Sequence, residues 1–234
     1  MKPSGTLLLF ARAPFLGRVK TRLQPDLSAE EALRIHRALL RDALSLLRMA
    51  AARGAVHPVV ALSEPLAGDE PIASDLAGIE TILQAGDDLG ERLLRAFQAR
   101  LVGGAGPVAA IGSDSPTLTP EAVTNAFNTL REHDVVIVPA ADGGYVLLGC
   151  RHLHPEIFRR MPWGTPQVMR ETGKRLRKGG IPHAILPPSR DLDTRDDLIA
   201  IYRELEGAGG PPLAPHTLRA LREVLRARPE WIWS

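Results

Sequence analysis

Short apolar runs alternating with longer helical patterns predict an α/β chain, with a mostly parallel central sheet and helices on both faces. Two observations carry this. Most of the runs are continuously apolar, as expected of strands covered on both faces, and most of the segments between them carry a helical pattern long enough for a crossover.

The predicted strands are Leu7 to Ala11, Pro58 to Leu62, Ile79 to Leu83, Val108 to Gly112, Val135 to Pro139, Tyr145 to Leu148 and, late in the chain, Ile181 to Leu186. The first helix opens on Ser28 and Glu31, the two ends of a capping box. Ala32, Ile35, Leu39, Ala43, Leu46 and Ala50 then recur at three- and four-residue steps until Gly54. A second helix begins near Asp88, with Glu91 three residues on. Thr119-Pro120 and Thr165-Pro166 each read as an N-cap followed by proline at the first helical position. Thr194, with Asp197 three residues later, opens a helix that Gly207 ends. The expected organisation is one domain over residues 1–206, then a Gly/Pro-rich linker and a helical appendage over 207–234 carrying Leu218, Leu221 and Leu225 on one face.

Hydrophobic residues form 44% of the 234, enough for a sizeable core. The 29 basic and 27 acidic side chains leave a formal charge of +2, which argues against a nucleic-acid partner, whose affinity needs a phosphate-neutralising surface. Cys150 is the single cysteine, so no intramolecular disulfide or multi-cysteine metal site can form. It follows a buried strand and reads as inert core. No apolar run approaches the length of about 18 residues that a membrane span needs, and the stretch Thr6 to Ala11 is too short for a signal peptide. The expected location is cytoplasmic.

In an open α/β sheet, ligands bind beyond the carboxyl ends of the strands. Four segments leave such ends. The first, Arg12 to Arg22, holds Arg12, Arg18, Lys20 and Arg22 without an acid, and Gly17 would let the backbone approach a ligand. Guanidinium forks and a compact ammonium suit phosphate oxygens, although a solvated basic loop reads the same way. The loop is neither a Walker A motif nor a GxGxxG fingerprint. The second, Ser113-Asp114-Ser115-Pro116, puts a carboxylate just past a strand, suited to a hard cation or to an Asx turn. The third, Asp142-Gly143-Gly144-Tyr145, is a hairpin turn that could present an aspartate and a tyrosine hydroxyl at a site rim. In the fourth, Asp191 and Asp193 alternate, so in extended backbone both point the same way. They could complete a metal site with Asp114 or cap the helix that follows.

Taken together, FARAPFLGRVKTRL, GDDLGERL, IGSDSPTLT, PAADGGYVLLG, the WGTPQV stretch and DLDTRDDL resemble a family of bacterial arsenosugar-biosynthesis-type glycosyltransferases, over nearly the whole chain to about Leu205. That family is similar in turn to the nucleotide-diphospho-sugar transferase superfamily, whose fold is the Rossmann-like glycosyltransferase-A three-layer sandwich. The 2-phospholactate and molybdenum-cofactor guanylyltransferases are relatives. The resemblance implies a nucleotide site at Ala11, Arg12, Gly17, Lys20, Arg22, Ser113 and Asp114, and Mg²⁺ or Mn²⁺ on Asp114 and Asp193. It also implies an acceptor side at Gly143, Gly144, Tyr145 and Trp163, with Asp142 the candidate catalytic base and Asp193 the reserve. The aspartate turn here is Ser-Asp-Ser, not Asp-x-Asp, and Ala141 precedes DGGY.

The leading expectation is metal-dependent glycosyl transfer from a nucleotide sugar to a small-molecule acceptor. The alternatives are nucleotidyl transfer from a nucleoside triphosphate to a phosphorylated small molecule, and a catalytically inactive nucleotide-binding protein. His36 and His57 have no ligand-spaced partner. Trp163 reads as a packed loop aromatic that could also stack on a ligand. Trp231 and Trp233 end the chain, docking on the domain or on a second subunit of a homodimer.

Overall fold

The computed structural model describes residues 5–53, 56–102, 104, 106–208 and 213–232. Strands β1 (Thr6–Ala11), β2 (His57–Leu62), β3 (Glu80–Leu83), β4 (Val108–Gly112), β5 (Val135–Pro139), β6 (Tyr145–Cys150) and β7 (His183–Ile185) form one sheet in the order β3-β2-β1-β4-β6-β5-β7. β6 runs antiparallel to β4 and β5, and the other pairings are parallel. The mostly parallel sheet is as expected.

Among the described residues the α-helices are α1 (Ala29–Ala52), α2 (Leu89–Val102), α3 (Pro120–Thr129), α4 (Val168–Lys178), α5 (Arg195–Gly207) and α6 (Pro215–Ala227). Neighbouring strand residues point to opposite layers. Leu7 and Leu9 pack with Leu44 and Leu47 of α1 and Phe127 of α3. Leu8, between them, packs with Phe97 of α2 and Leu176 of α4. That alternation is why the strands read as unbroken apolar runs.

The capping boxes at Ser28/Glu31 and Thr194/Asp197 form as expected, and Thr119 caps α3. Thr165 does not cap a helix. Its hydroxyl donates to Pro162 O at 2.7 Å and accepts from Gln167 N at 3.3 Å, which closes a turn and delays α4 to Val168. Gly54 and Trp233 lie outside the described residues, as do 209–212 of the linker.

α1 is buried on two sides. One stripe faces the sheet, and the other, with Ile35, Ala38 and Leu39, faces Leu218, Leu221 and Leu225 of α6 and Ile201 of α5. Asp42, 6% exposed, accepts from His216 N at 3.2 Å and Thr217 N at 2.7 Å, and so caps α6 from a distant helix. Burial, the largest effect on Asp42, raises its carboxyl above the usual range. Arg228 forks onto Glu31 at 2.8 Å through both nitrogens. Trp231 docks on its own chain, with the guanidiniums of Arg195 and Arg228 5.6 and 5.2 Å from its ring centre. Among the described residues no helix is long and apolar enough to cross a membrane.

Replacing Asp42 by alanine orphans the buried Thr217 amide and the half-buried His216 amide at the start of α6. We expect a loss of about 1–3 kcal/mol in urea unfolding, and a smaller loss for Asp42→Asn, which keeps one acceptor.

Candidate functional site

The loop after β1 is shaped by its backbone. Gly17 takes a φ of +73° at the exposed tip, and Lys20 takes +48°, a left-handed conformation uncommon for lysine. The Lys20 side chain is only 3% exposed. Its ammonium lies 2.9 Å from Asp114 Oδ2, 3.1 Å from Asp193 Oδ1 and 2.5 Å from Leu192 O, so each of its three donors has an acceptor. Arg22 reaches Asp193 Oδ2 at 3.3 Å. The basic stretch and the mid-chain acidic turn therefore converge, with the late Asp191–Asp193 segment as the third party. Burial would by itself raise the Asp114 carboxyl. Lys20, then His36 and the Ser113 hydroxyl, outweigh it and hold that carboxyl below its usual range.

Beside this cluster lies a cleft of about 710 Å³ at the carboxyl ends of β1, β2 and β4. Ala11, Arg12, Ser113 and Asp114 line it, as does Arg18, which pairs with Glu64 at 3.0 Å and covers the Phe15 ring. Gly17 does not reach the cleft wall, and Lys20 stands behind Asp114.

Three carboxylates gather next to Lys20. Asp142, Asp191 and Asp193 bring one oxygen each within 4.8 Å of one another, the spacing at which a single ion can be shared. The expected metal pair was Asp114 and Asp193. Asp193 belongs to this group and Asp114 does not, although Lys20 engages both.

Two latches build the group. Asp142 sits in the β5–β6 turn and accepts from Gly144 N at 2.8 Å. Gly143, at φ +90°, packs so closely that a Cβ would stand 2.4 Å from Pro166 O. The late segment is held by Ser189 N on Pro139 O at 3.0 Å and Leu192 N on Asp114 O at 2.8 Å. Burial first, then the charges of Asp142 and Asp193, push the Asp191 carboxyl up to about 6. Hard oxygens crowded in this way fit a Mg²⁺- or Mn²⁺-like cation.

On the expected acceptor side, Tyr145 and Trp163 meet edge to face with ring centres 5.9 Å apart. The Trp163 indole donates to Phe158 O at 3.2 Å, so the side chain is packed and oriented. The Tyr145 hydroxyl is sealed from solvent instead of standing at the rim, and burial raises its pKa.

Sequence reasoning missed Gln84, Arg92 and Gly90, and gave His36 no metal role. Gln84 ties β1 to β2 by donating to Ala11 O and Ala61 O. Arg92 lines the cleft and is braced on Gly86 O at 2.9 Å. His36, 3% exposed, joins Arg12 O at 3.0 Å on the cleft wall, and burial lowers its pKa. The GDDLGERL run was the available signal for Gly90 and Arg92. Nothing in it fixed their orientation. Exchanging Lys20 for methionine removes the cation that Asp114 and Asp193 share and leaves only the exposed Arg22 on Asp193. Because both carboxylates are partly exposed, we expect about 1–3 kcal/mol of destabilisation in urea unfolding, below the 3–5 kcal/mol of a fully buried pair.

Known proteins share this architecture. A Desulfovibrio desulfuricans G20 protein assigned as a nucleotide-diphospho-sugar transferase superposes with a TM-score of 0.86, at 30% identity over 98% of each chain. A cytidylyltransferase from Leptospira borgpetersenii covers 98% of this chain and 97% of its own at 15% identity, with a TM-score of 0.57. The fold is that of the nucleotidyl- and sugar-nucleotide transferases. A curated relative, 2-phospho-L-lactate guanylyltransferase from Halomicrobium mukohataei, is 31% identical over 137 residues. That match takes in 57% of this chain and spans just over half, 56%, of the relative. The stretch that contributes His36, Asp114 and Asp142 to the site, residues 36–165, matches the model of a family described as "Uncharacterized protein conserved in bacteria (DUF2064)", and to that family the chain belongs.

Proposed function

We propose that the chain is a metal-dependent nucleotidyltransferase, joining a nucleoside monophosphate unit to a phosphorylated small molecule. The carrying observation is the Lys20 ammonium held between Asp114 and Asp193, with Asp142 and Asp191 converging on Asp193 and a cleft with arginines on its wall alongside. The guanylyltransferase relative supports nucleotidyl over glycosyl transfer.

In this reading the cleft takes the triphosphate, with Arg12 and Arg92 on its oxygens. An acceptor phosphate oxygen attacks the α-phosphorus, the bond to the bridging oxygen breaks, and pyrophosphate leaves. Arg12 and Arg92, on the cleft wall, offset the charge that builds on the leaving group, while Lys20 and Arg22 hold Asp114 and Asp193 in place behind it. Asp142, Asp191 and Asp193 would hold a divalent Mg²⁺ or Mn²⁺, which would supply neutralisation of the phosphate charge.

A second reading is glycosyl transfer from a nucleotide sugar, supported by the whole-chain likeness to the Desulfovibrio protein. The acceptor hydroxyl would then give its proton to Asp142, with Asp193 in reserve, as a nucleoside diphosphate departs. The arsenosugar-type acceptor suggested by the sequence resemblance belongs to this reading.

Purified protein incubated with labelled triphosphates or nucleotide sugars, candidate acceptors and Mg²⁺ or Mn²⁺ separates these. Pyrophosphate release supports nucleotidyl transfer, and nucleoside diphosphate release supports the glycosyl reading. Asp114→Ala and Asp193→Asn should each lower turnover by at least about 10²-fold. Nucleotide-induced thermal stabilisation that survives Asp114→Ala, with no turnover in either protein, would point to an inactive binding protein.

The Asp191 carboxyl supplies a pH test. Its folded pKa of about 6 lies above the ordinary 3.8, so the folded state binds the extra proton between these values. Its share of stability is present at low pH and lost as pH rises through about 4–6. Thermal stabilisation by Mn²⁺, which needs the ionised carboxylate, should grow over pH 5–7, and Asp191→Asn should flatten both trends.

A further inference from the structure

A smaller cavity of about 190 Å³ opens beside the carboxylate group, walled mainly by Phe10, Leu93, Tyr145, Trp163 and Val168, with Asp142 on its lining. It shares Phe10, Leu89 and Gly112 with the larger cleft, so the two adjoin. Among the described residues no lysine or arginine lines it. Its aromatic corner is fixed. Trp163 is braced on Phe158 O and on Tyr145, and α2 comes so near that a Cβ on Gly90 would lie 2.3 Å from the indole nitrogen.

A free anion placed here would meet Asp142 and no cation, and a sugar ring would find only Asp142 and Thr165 for its several hydroxyls, each one left unmatched costing about 1–3 kcal/mol. An apolar ring would lose nothing. An apolar cavity of about 150 Å³ lined by aliphatic and aromatic side chains is large enough to hold benzene. The volume, the walls and the carboxylate on the lining thus match a molecule with an apolar body and a reacting oxygen at one end.

We propose that this cavity is the acceptor's specificity pocket and takes a ring-sized apolar group, setting the acceptor's reacting oxygen at the Asp142 end. The inference rests on the transferase reading of the neighbouring cleft but not on which group is transferred. It names the acceptor class: a small molecule with a phenyl-sized or similarly compact hydrocarbon portion, not a free sugar. Trp163 and Tyr145 act in it through ring faces and edges, which accounts for a tyrosine whose hydroxyl is sealed away.

Phenol serves as the apolar probe and myo-inositol as the polar one, each followed by saturation-transfer NMR on the full chain. Phenol should bind at millimolar concentration and myo-inositol should not. Ala110→Leu, which fills the cavity from β4, should weaken phenol about tenfold or more. Should that variant fail to fold, Leu89→Arg places a charge at the shared mouth on a side chain already 43% exposed and should do the same. Thermal stabilisation of the wild type by GTP with Mg²⁺ is measured in parallel. Nucleotide stabilisation without phenol binding, equal binding of the two probes, or phenol binding indifferent to the folded variant overturns the pocket assignment and leaves the transferase reading standing. Phenol binding that responds to the variants, with no nucleotide stabilisation, sustains an apolar pocket and removes the reading on which its acceptor role rests.

Discussion

One ammonium organises the site. Lys20 is nearly withdrawn from water, and an unpaired cation there would be expensive. Asp114, Asp193 and the Leu192 carbonyl make it tolerable, and in return it fixes where the segments after β1 and β4 and the late loop sit relative to one another. Asp193 is held by Lys20 on one side and faces Asp142 and Asp191 on the other. A paired cation and a crowded anionic group thus share one residue. That arrangement leaves negative charge concentrated where a divalent ion fits, beside a cleft whose wall mixes Arg12, Arg18 and Arg92 with Glu64, Asp87, Asp88 and Asp114.

The scaffold explains how such a charged cluster persists. The sheet's two faces are covered by separate apolar layers, so the strand ends are stiff platforms. The turns above them are tied to one another by backbone hydrogen bonds and by glycines whose neighbours leave no room for a side chain. The C-terminal helix contributes from further away. It covers the second apolar stripe of α1, and Asp42 and Arg228 anchor its two ends. His36, which touches the Arg12 carbonyl, lies on that same doubly buried α1.

Much of the fold was legible because its signals are local. Continuous apolar runs mark strands covered on both faces, and Ser28/Glu31, Thr119-Pro120 and Thr194/Asp197 mark helix starts through contacts three residues apart. Thr165-Pro166 looked identical to Thr119-Pro120 and behaved differently, because the Thr165 hydroxyl is spent on Pro162 O in a turn packed against Gly143. The second stripe of α1 was also present in the sequence. Its partner arrives only with α6, so periodicity could not say that the stripe would be covered.

The sequence by itself determined which side chains carry charge, where strands end and hence which loops could hold a ligand, since these depend on residue type and on neighbours along the chain. The tertiary structure alone decided the pairings: Lys20 with a carboxylate 173 residues away, Asp142 joining Asp191 and Asp193, and Tyr145 offering a ring edge instead of a hydroxyl. Coulombic attraction and desolvation depend on distance and burial, and both follow from β4 lying beside β1 and β6 beside β4 in the sheet.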